Sequence, residues 1–200
     1  MQPQPAAVSS LAALFARQRY AVVPGMISPE EARTLSAYMD QSHRDGFMSL
    51  ADEFVPETPC MYGDLEMERL LARLGPKMEF LTGLALYPTY SFARIYKHGD
   101  VLTPHRDREA CEISISLNLG QDPDEPWPLW LRDHAGKDFA AILRPGDALI
   151  YRGIELAHWR EAYPGRRLAQ VFLHYVDRNG PHAAQIFDRR AGLGLPAVKG

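Results

Sequence analysis

Phe92-Ala93-Arg94-Ile95-Tyr96-Lys97-His98-Gly99-Asp100-Val101-Leu102-Thr103-Pro104-His105-Arg106-Asp107 is the stretch in which the chain changes character. Its first five residues mix aromatic and β-branched side chains, the composition of a strand. His98-Gly99-Asp100 breaks the run with turn chemistry. Val101 to Asp107 then reads as a second extended segment, with Pro104 holding the backbone away from helix. Alternate residues of a strand share a face, so His105 and Asp107 point the same way and Arg106 points the other.

Working outward, the same texture continues to the C-terminal side. Glu112–Leu119, Pro128–Arg132, Phe139–Leu143, Ala148–Arg152, His158–Ala162 and Leu168–Val176 are short strand-like runs. Gln121–Pro126, His134-Ala135-Gly136, Pro145-Gly146-Asp147 and Pro164-Gly165 punctuate them. Strands at such regular spacing predict a closed β architecture of the jelly-roll kind. Upstream the pattern is helical. Ser9 or Ser10 is placed to cap a helix through Leu11, Leu14 and Phe15, followed by a short strand at Tyr20–Val23. Ser28-Pro29-Glu30-Glu31 combines an N-cap, a proline at the first helical position and acids in the first turn, predicting a helix to about Ser42. Leu65, Met67, Leu70, Leu71 and Leu74 predict another, broken near Gly75-Pro76 and resuming to about Leu84. The expected fold is α+β: a jelly-roll core over about 86–178 with the N-terminal helices packed on one sheet. Residues 1–8 are expected to be disordered and 9–200 to form one domain.

The chain has 200 residues, 24% charged and 46% hydrophobic, with a formal net charge of −3. That balance argues against a nucleic-acid surface, which shows as a basic excess. No apolar run approaches a membrane span, and the N-terminal residues lack the basic-then-apolar pattern of a secretory signal. Cys60 and Cys111 are the two cysteines. They form no CxxC pair, so a disulfide framework is not expected and a cytoplasmic location is.

His-x-Asp occurs three times, and a bare match is weak. His43-Arg44-Asp45 falls at the end of a predicted helix, and His98-Gly99-Asp100 is a turn. His105-Arg106-Asp107 lies on a strand, and His158 lies on a late strand that a jelly roll brings beside it. Two imidazoles and a carboxylate cap one face of Fe(II) and leave the other open. Arg167, nine residues past His158, has the planar fork suited to the far carboxylate of 2-oxoglutarate. On this reading Arg167, Ala169 and Val171 face the barrel interior, while Arg166, Gln170 and His174 face away.

The order of these motifs resembles the Fe(II)/2-oxoglutarate-dependent dioxygenases, and among them the prolyl 4-hydroxylase-like group. The matching segments are Arg94 to Asp107, Ser114-Ile115-Ser116-Leu117-Asn118, and Pro145-Gly146-Asp147-Ala148-Leu149-Ile150-Tyr151 leading to His158. The resemblance implies a double-stranded β-helix, with 2-oxoglutarate and O2 consumed and succinate and CO2 released. It implies that Tyr96 reaches the co-substrate and that Asp107 favours hydroxylation, since halogenating relatives replace that carboxylate. Ser116 stands at the co-substrate position where some relatives carry a tyrosine. Arg167 departs from the lysine of collagen-type members. Arg160 departs from the aliphatic residue usual two positions past the distal histidine, and is expected to touch either substrate or an internal acid such as Glu112 or Glu161. Trp130 is expected at the substrate mouth, with the Asp45–Tyr62 loop as a lid. The expected substrate is a small metabolite, an amino acid or a prolyl residue. The alternative is a non-catalytic, cupin-like metal-binding barrel serving as sensor or scaffold, in which Arg167 has no task.

Overall fold

The computed structural model describes residues 5–122 and 127–195. Three helices precede most of the sheet structure: α1 (Pro5–Gln18), α2 (Pro29–Arg44) and α3 (Leu65–Thr82). Strands β1 (Tyr20–Val23) and β2 (Cys60–Tyr62) lie between them. After α3 come β3 (Leu86–Lys97), β4 (Leu102–His105), β5 (Ile113–Asp122), β6 (Leu129–Arg132), β7 (Asp138–Ala141), β8 (Ala148–Tyr151), β9 (Ala157–Arg160) and β10 (Arg167–Asp177). Every strand pair is antiparallel. A six-stranded sheet runs β1-β8-β5-β10-β3-β2, and a four-stranded sheet runs β4-β9-β6-β7.

The Ser28 signal acts as read. Ser28 Oγ accepts the Glu31 amide hydrogen at 3.1 Å, with Pro29 in the first turn of α2. Asp64 caps α3 by accepting from the amides of Glu66 and Met67. Gly83 closes α3 at φ 73°, a left-handed turn that glycine adopts without strain. Two helix expectations need correction. Helix α1 begins at Pro5, so Ser9 and Ser10 lie inside it and not at its start; of the expected disordered lead-in, residues 1–4 lie outside the described residues. Helix α3 runs unbroken through Gly75 and Pro76. Its apolar stripe of Met67, Leu70, Leu71, Leu74, Met78 and Leu81 is buried, and that burial outweighs the lost proline hydrogen bond.

One face of the larger sheet is apolar and packs on the helices. Ile113, Ile115, Leu117 and Leu119 of β5 join Ala93, Ile95, Ala148, Ile150, Ala169, Val171, Leu173 and Tyr175 in a single core with Phe15, Met39, Leu71 and Met78. The intervening positions of β5, Ser114, Ser116 and Asn118, are buried on the other face. The period of two thus sorts β5 into a helix side and an inter-sheet side. The inter-sheet side is polar, and there the site lies.

Arg167 belongs to the helix side, which reverses its expected direction. It does share a face with Ala169 and Val171, but that face meets α2. Its Nε donates to Asp40 Oδ1 at 2.7 Å and its Nη2 to Ser36 Oγ at 2.8 Å. The inter-sheet face of β10 carries Gln170, Phe172 and His174 instead. Strand β10 is buried on both faces over residues 168–176, so its own polarity pattern does not tell the faces apart. Arg167→Ala should lower stability by about 1 kcal/mol or less, as for a part-exposed ion pair. Metal binding should be unchanged, which chemical denaturation and metal titration would check.

Candidate metal centre and its cavity

The register of the smaller sheet sets His105 directly opposite His158. Their rings are 4.3 Å apart, centroid to centroid. Asp107 follows β4, and its amide donates to Gly153 O at 3.0 Å. That bond turns the carboxylate toward the histidines, with Oδ1 at 3.7 Å from His105 Nε2 and 3.4 Å from His158 Nε2. The three side chains offer ligand atoms within 4.8 Å of one another. Both imidazoles turn Nδ1 to a backbone carbonyl two residues earlier, Thr103 O at 2.8 Å and Leu156 O at 3.0 Å. Those bonds fix the rings and leave both Nε2 atoms facing the carboxylate, the arrangement a metal-ligating histidine needs.

Charge around the triad is consistent with this. Burial and the neighbouring His158 lower the pKa of His105. Burial also works against a charged His158, but the hydrogen bond and charge of Asp107 outweigh it and raise the pKa. For Asp107 burial opposes ionisation, yet His158 holds the carboxyl below its ordinary value. Two imidazoles and an ionised carboxylate around one point are the donor set of a facial 2-His-1-carboxylate site.

A cavity of about 310 Å³ opens on the triad. Phe54, Tyr90, Phe92, Tyr151 and Phe172 give it aromatic walls, and Arg94, Cys111 and His174 supply polar atoms. The Asp45–Tyr62 segment contributes Ala51, Asp52, Glu53 and Phe54 to the cavity, and β2 forms within the same segment. Phe54 lies 4.8 Å from the His105 ring. Asp52 accepts from the amides of Phe54 and Val55 and ion-pairs with Arg94 across the cavity wall.

Behind this wall lies a second arginine. Arg160 is 2% exposed, and its partners among the described residues are neutral: Trp127 O at 2.7 Å and Gln170 Oε1 at 3.0 Å. Its Nε has no partner, and it packs 4.3 Å from the Trp127 ring centre. Burial pushes its pKa down to about 10. Neither Glu112 nor Glu161 pairs with it: Glu112 meets Arg152 and the Asp177 amide, and Glu161 Oε1 accepts from Trp159. Tyr96, fully buried, lies between the two arginines, its hydroxyl accepting from Arg94 Nη1 at 2.8 Å and its ring 5.8 Å from Arg160.

The triad, Tyr96 and Arg160 therefore lie in the inter-sheet space, and Arg167 does not. Ser116 is buried there too, accepting from Gln170 Nε2 at 2.8 Å, but it does not line the cavity. Trp130 is misplaced by the sequence reading. It stacks on Trp159, 6.2 Å away and 12° from parallel, on the outer face of the smaller sheet, because Leu129 and Leu131 take the inward positions. Of the Gln121–Pro126 turn, residues 123–126 lie outside the described residues. Arg94 and His174 were missed. The period that turned Tyr96 inward also turns Arg94 inward, so Arg94 was readable; His174 was hidden by the reversed face of β10.

Gly153 decides how close the triad sits. A Cβ there would collide with Asp107 Oδ2 and with the Cys111 carbonyl. Gly153→Ala should displace the carboxylate and lower metal affinity by about 10- to 100-fold, measurable by metal titration on a protein whose circular dichroism is unchanged.

No protein-family model and no curated protein sequence matches the chain, but solved structures do. SnoN, a non-heme alpha ketoglutarate dependent epimerase from nogalamycin biosynthesis, superposes with a TM-score of 0.76 at 18% identity, covering 98% of this chain and 94% of SnoN. SnoN has also been solved with Fe3+, alpha ketoglutarate and nogalamycin RO. A Pseudomonas putida prolyl-4-hydroxylase gives 0.71 at 15% identity, over 86% of this chain and all of that one. EctD from S. alaskensis with bound Fe gives 0.68 at 20% identity, over 84% of this chain and 76% of EctD. The sequence resemblance and these likenesses converge: the chain carries the fold of iron- and 2-oxoglutarate-dependent oxygenases.

Proposed function

We propose that this protein is a non-haem Fe(II)- and 2-oxoglutarate-dependent oxygenase acting on a small molecule or a peptide side chain. On this reading the two facing sheets are a double-stranded β-helix, and His105, Asp107 and His158 hold the iron. The observation that carries the proposal is the buried guanidinium of Arg160. A cation out of water whose partners among the described residues are all neutral is costly unless a ligand completes it. Among the described residues Arg94 and Arg160, with Tyr96 between them, set two positive charges against the one carboxylate of Asp52. A dicarboxylate co-substrate bound at the metal would offset the excess with its far end, which is the task first given to Arg167. A mere metal scaffold has no use for such a cluster.

When bound, iron and 2-oxoglutarate supply the oxidising chemistry, with O2 consumed and succinate and CO2 released. The protein's own part is placement. The Nε2 atoms of His105 and His158 and the Asp107 carboxylate would be the three donors. Phe54, Phe92 and Phe172 wall the cavity beside them. Arg94, on the cavity wall, and Arg160 behind it would supply the charge for the far carboxylate of the co-substrate, and Tyr96 holds the Arg94 fork in place by accepting from its Nη1. Among the described residues no helix is long and apolar enough to cross a membrane, and Cys60 and Cys111 are free and buried. A cytoplasmic location belongs to the same reading.

Anaerobic addition of Fe(II) and 2-oxoglutarate should give the weak visible charge-transfer band of the bound pair, absent in Asp107→Ala. Arg160→Leu should raise the 2-oxoglutarate concentration for half-saturation by about 30-fold, the equivalent of about 2 kcal/mol for a hydrogen bond to a charged group. Arg160→Lys should recover part of that loss, and Arg167→Ala should leave it within about twofold, as expected away from the site. Loss of the band in Arg167→Ala with an unchanged Arg160→Leu would reverse the assignment.

A further inference from the structure

The cavity holds a second constellation of metal-binding atoms that the proposed function leaves unused. Asp107, Cys111 and His174 offer a carboxylate, a thiol and an imidazole within 4.8 Å of one another. All three line the same cavity as the triad, and Cys111 and His174 are 3% and 5% exposed. The shared Asp107 has two oxygens with different neighbours. Its Oδ1 faces His105 and His158, whereas its Oδ2 accepts from Ser114 Oγ at 3.3 Å. One carboxylate is thus presented to both groups at once.

His174 is prepared as the triad histidines are. Its Nδ1 meets Ser114 Oγ at 2.9 Å, leaving Nε2 for a ligand. The ring is further held against Tyr90, 4.6 Å away. The Tyr90 hydroxyl lies 2.9 Å from Cys111 Sγ and anchors the sulfur at the cavity wall. The two donor sets differ in softness. Imidazoles and a carboxylate suit iron, whereas a thiolate with an imidazole selects zinc or another thiophilic ion.

We infer that Asp107, Cys111 and His174 form a second cation position, sharing Asp107 with the iron triad and taking thiophilic divalent ions such as Zn²⁺. Binding converts the Cys111 thiol to a thiolate, the proton passing to solvent, with no change of oxidation state. An ion there draws on the same carboxylate as iron, so zinc inhibits by competition for Asp107 and by narrowing the cavity. The inference needs the placement of these three residues and does not depend on 2-oxoglutarate.

Co²⁺ titration of the metal-free protein tests it, because a cobalt–thiolate bond absorbs strongly in the near ultraviolet. The absorption should appear in the wild type and persist in a His105→Ala/His158→Ala variant, in which the iron triad is lost. It should vanish in Cys111→Ser and weaken in His174→Gln, while Cys60→Ser retains it. In the same double variant, Ser114→Ala should lower Co²⁺ affinity by about 10- to 100-fold, because it frees both His174 and Asp107. Absence of the absorption in the wild type, or its survival in Cys111→Ser, overturns the inference whatever the outcome with 2-oxoglutarate.

Discussion

The antiparallel pairing of β4 with β9 places His105 opposite His158, and the rest of the site is arranged around that pairing. Directly opposed residues on paired strands hold their Cβ atoms about 4.5–5.5 Å apart, close enough for two imidazoles to address one ion. The third ligand arrives by a different constraint. The Asp107 amide bonds to Gly153 O, and the missing side chain at Gly153 gives the carboxylate room. A strand register, one backbone hydrogen bond and one absent Cβ together set the geometry of the proposed metal site. None of these depends on loop flexibility, so the three side chains are held in place by the fold itself.

The larger sheet is asymmetric. Its helix side is a continuous apolar core and supplies the stability, while its other side carries Ser114, Ser116, Arg94, Gln170 and His174 into the space between sheets. Burying that much polarity is favourable only when partners are present. Most are: Ser116 with Gln170, Ser114 with His174, Arg94 with Asp52 and Tyr96. Arg160 differs in that its charge, among the described residues, faces only neutral groups. Structural ion pairs elsewhere are completed within the chain, as in the buried Glu68–Arg190 pair that ties the C-terminal segment to α3. That contrast separates a cation serving the fold from one reserved for a ligand.

Much of this was legible along the chain. The eight runs from Phe92 to Val176 all became strands, and Ser28 marks a helix start through local backbone chemistry alone. His105-Arg106-Asp107 was separable from its two imitators: His43 is exposed at the end of α2, and Gly99 takes φ 84° in a turn. The errors cluster where both sides of an element are buried. Strand β10 is buried on each face, so the direction of Arg167 was a matter of choice, and the choice fell on the wrong side. Trp130 failed similarly, since Leu129 and Trp130 are both large and only the opposing sheet determines which one turns inward. Pro76 failed for the opposite reason: a local rule was overridden by tertiary burial of the surrounding leucines and methionines.

What the residues determined alone is whatever depends on neighbours in the chain. That comprises element types, caps and turns, the same-face relation of His105 and Asp107, and the ligand chemistry of the triad. What only the folded molecule decided is everything that depends on distant partners: which face of β10 meets α2, which arginines turn into the space between the sheets, and that Cys111 and His174 come to lie beside Asp107. Period and propensity act over a few residues, whereas register and the stacking of one sheet on another are settled by the packing of the whole chain.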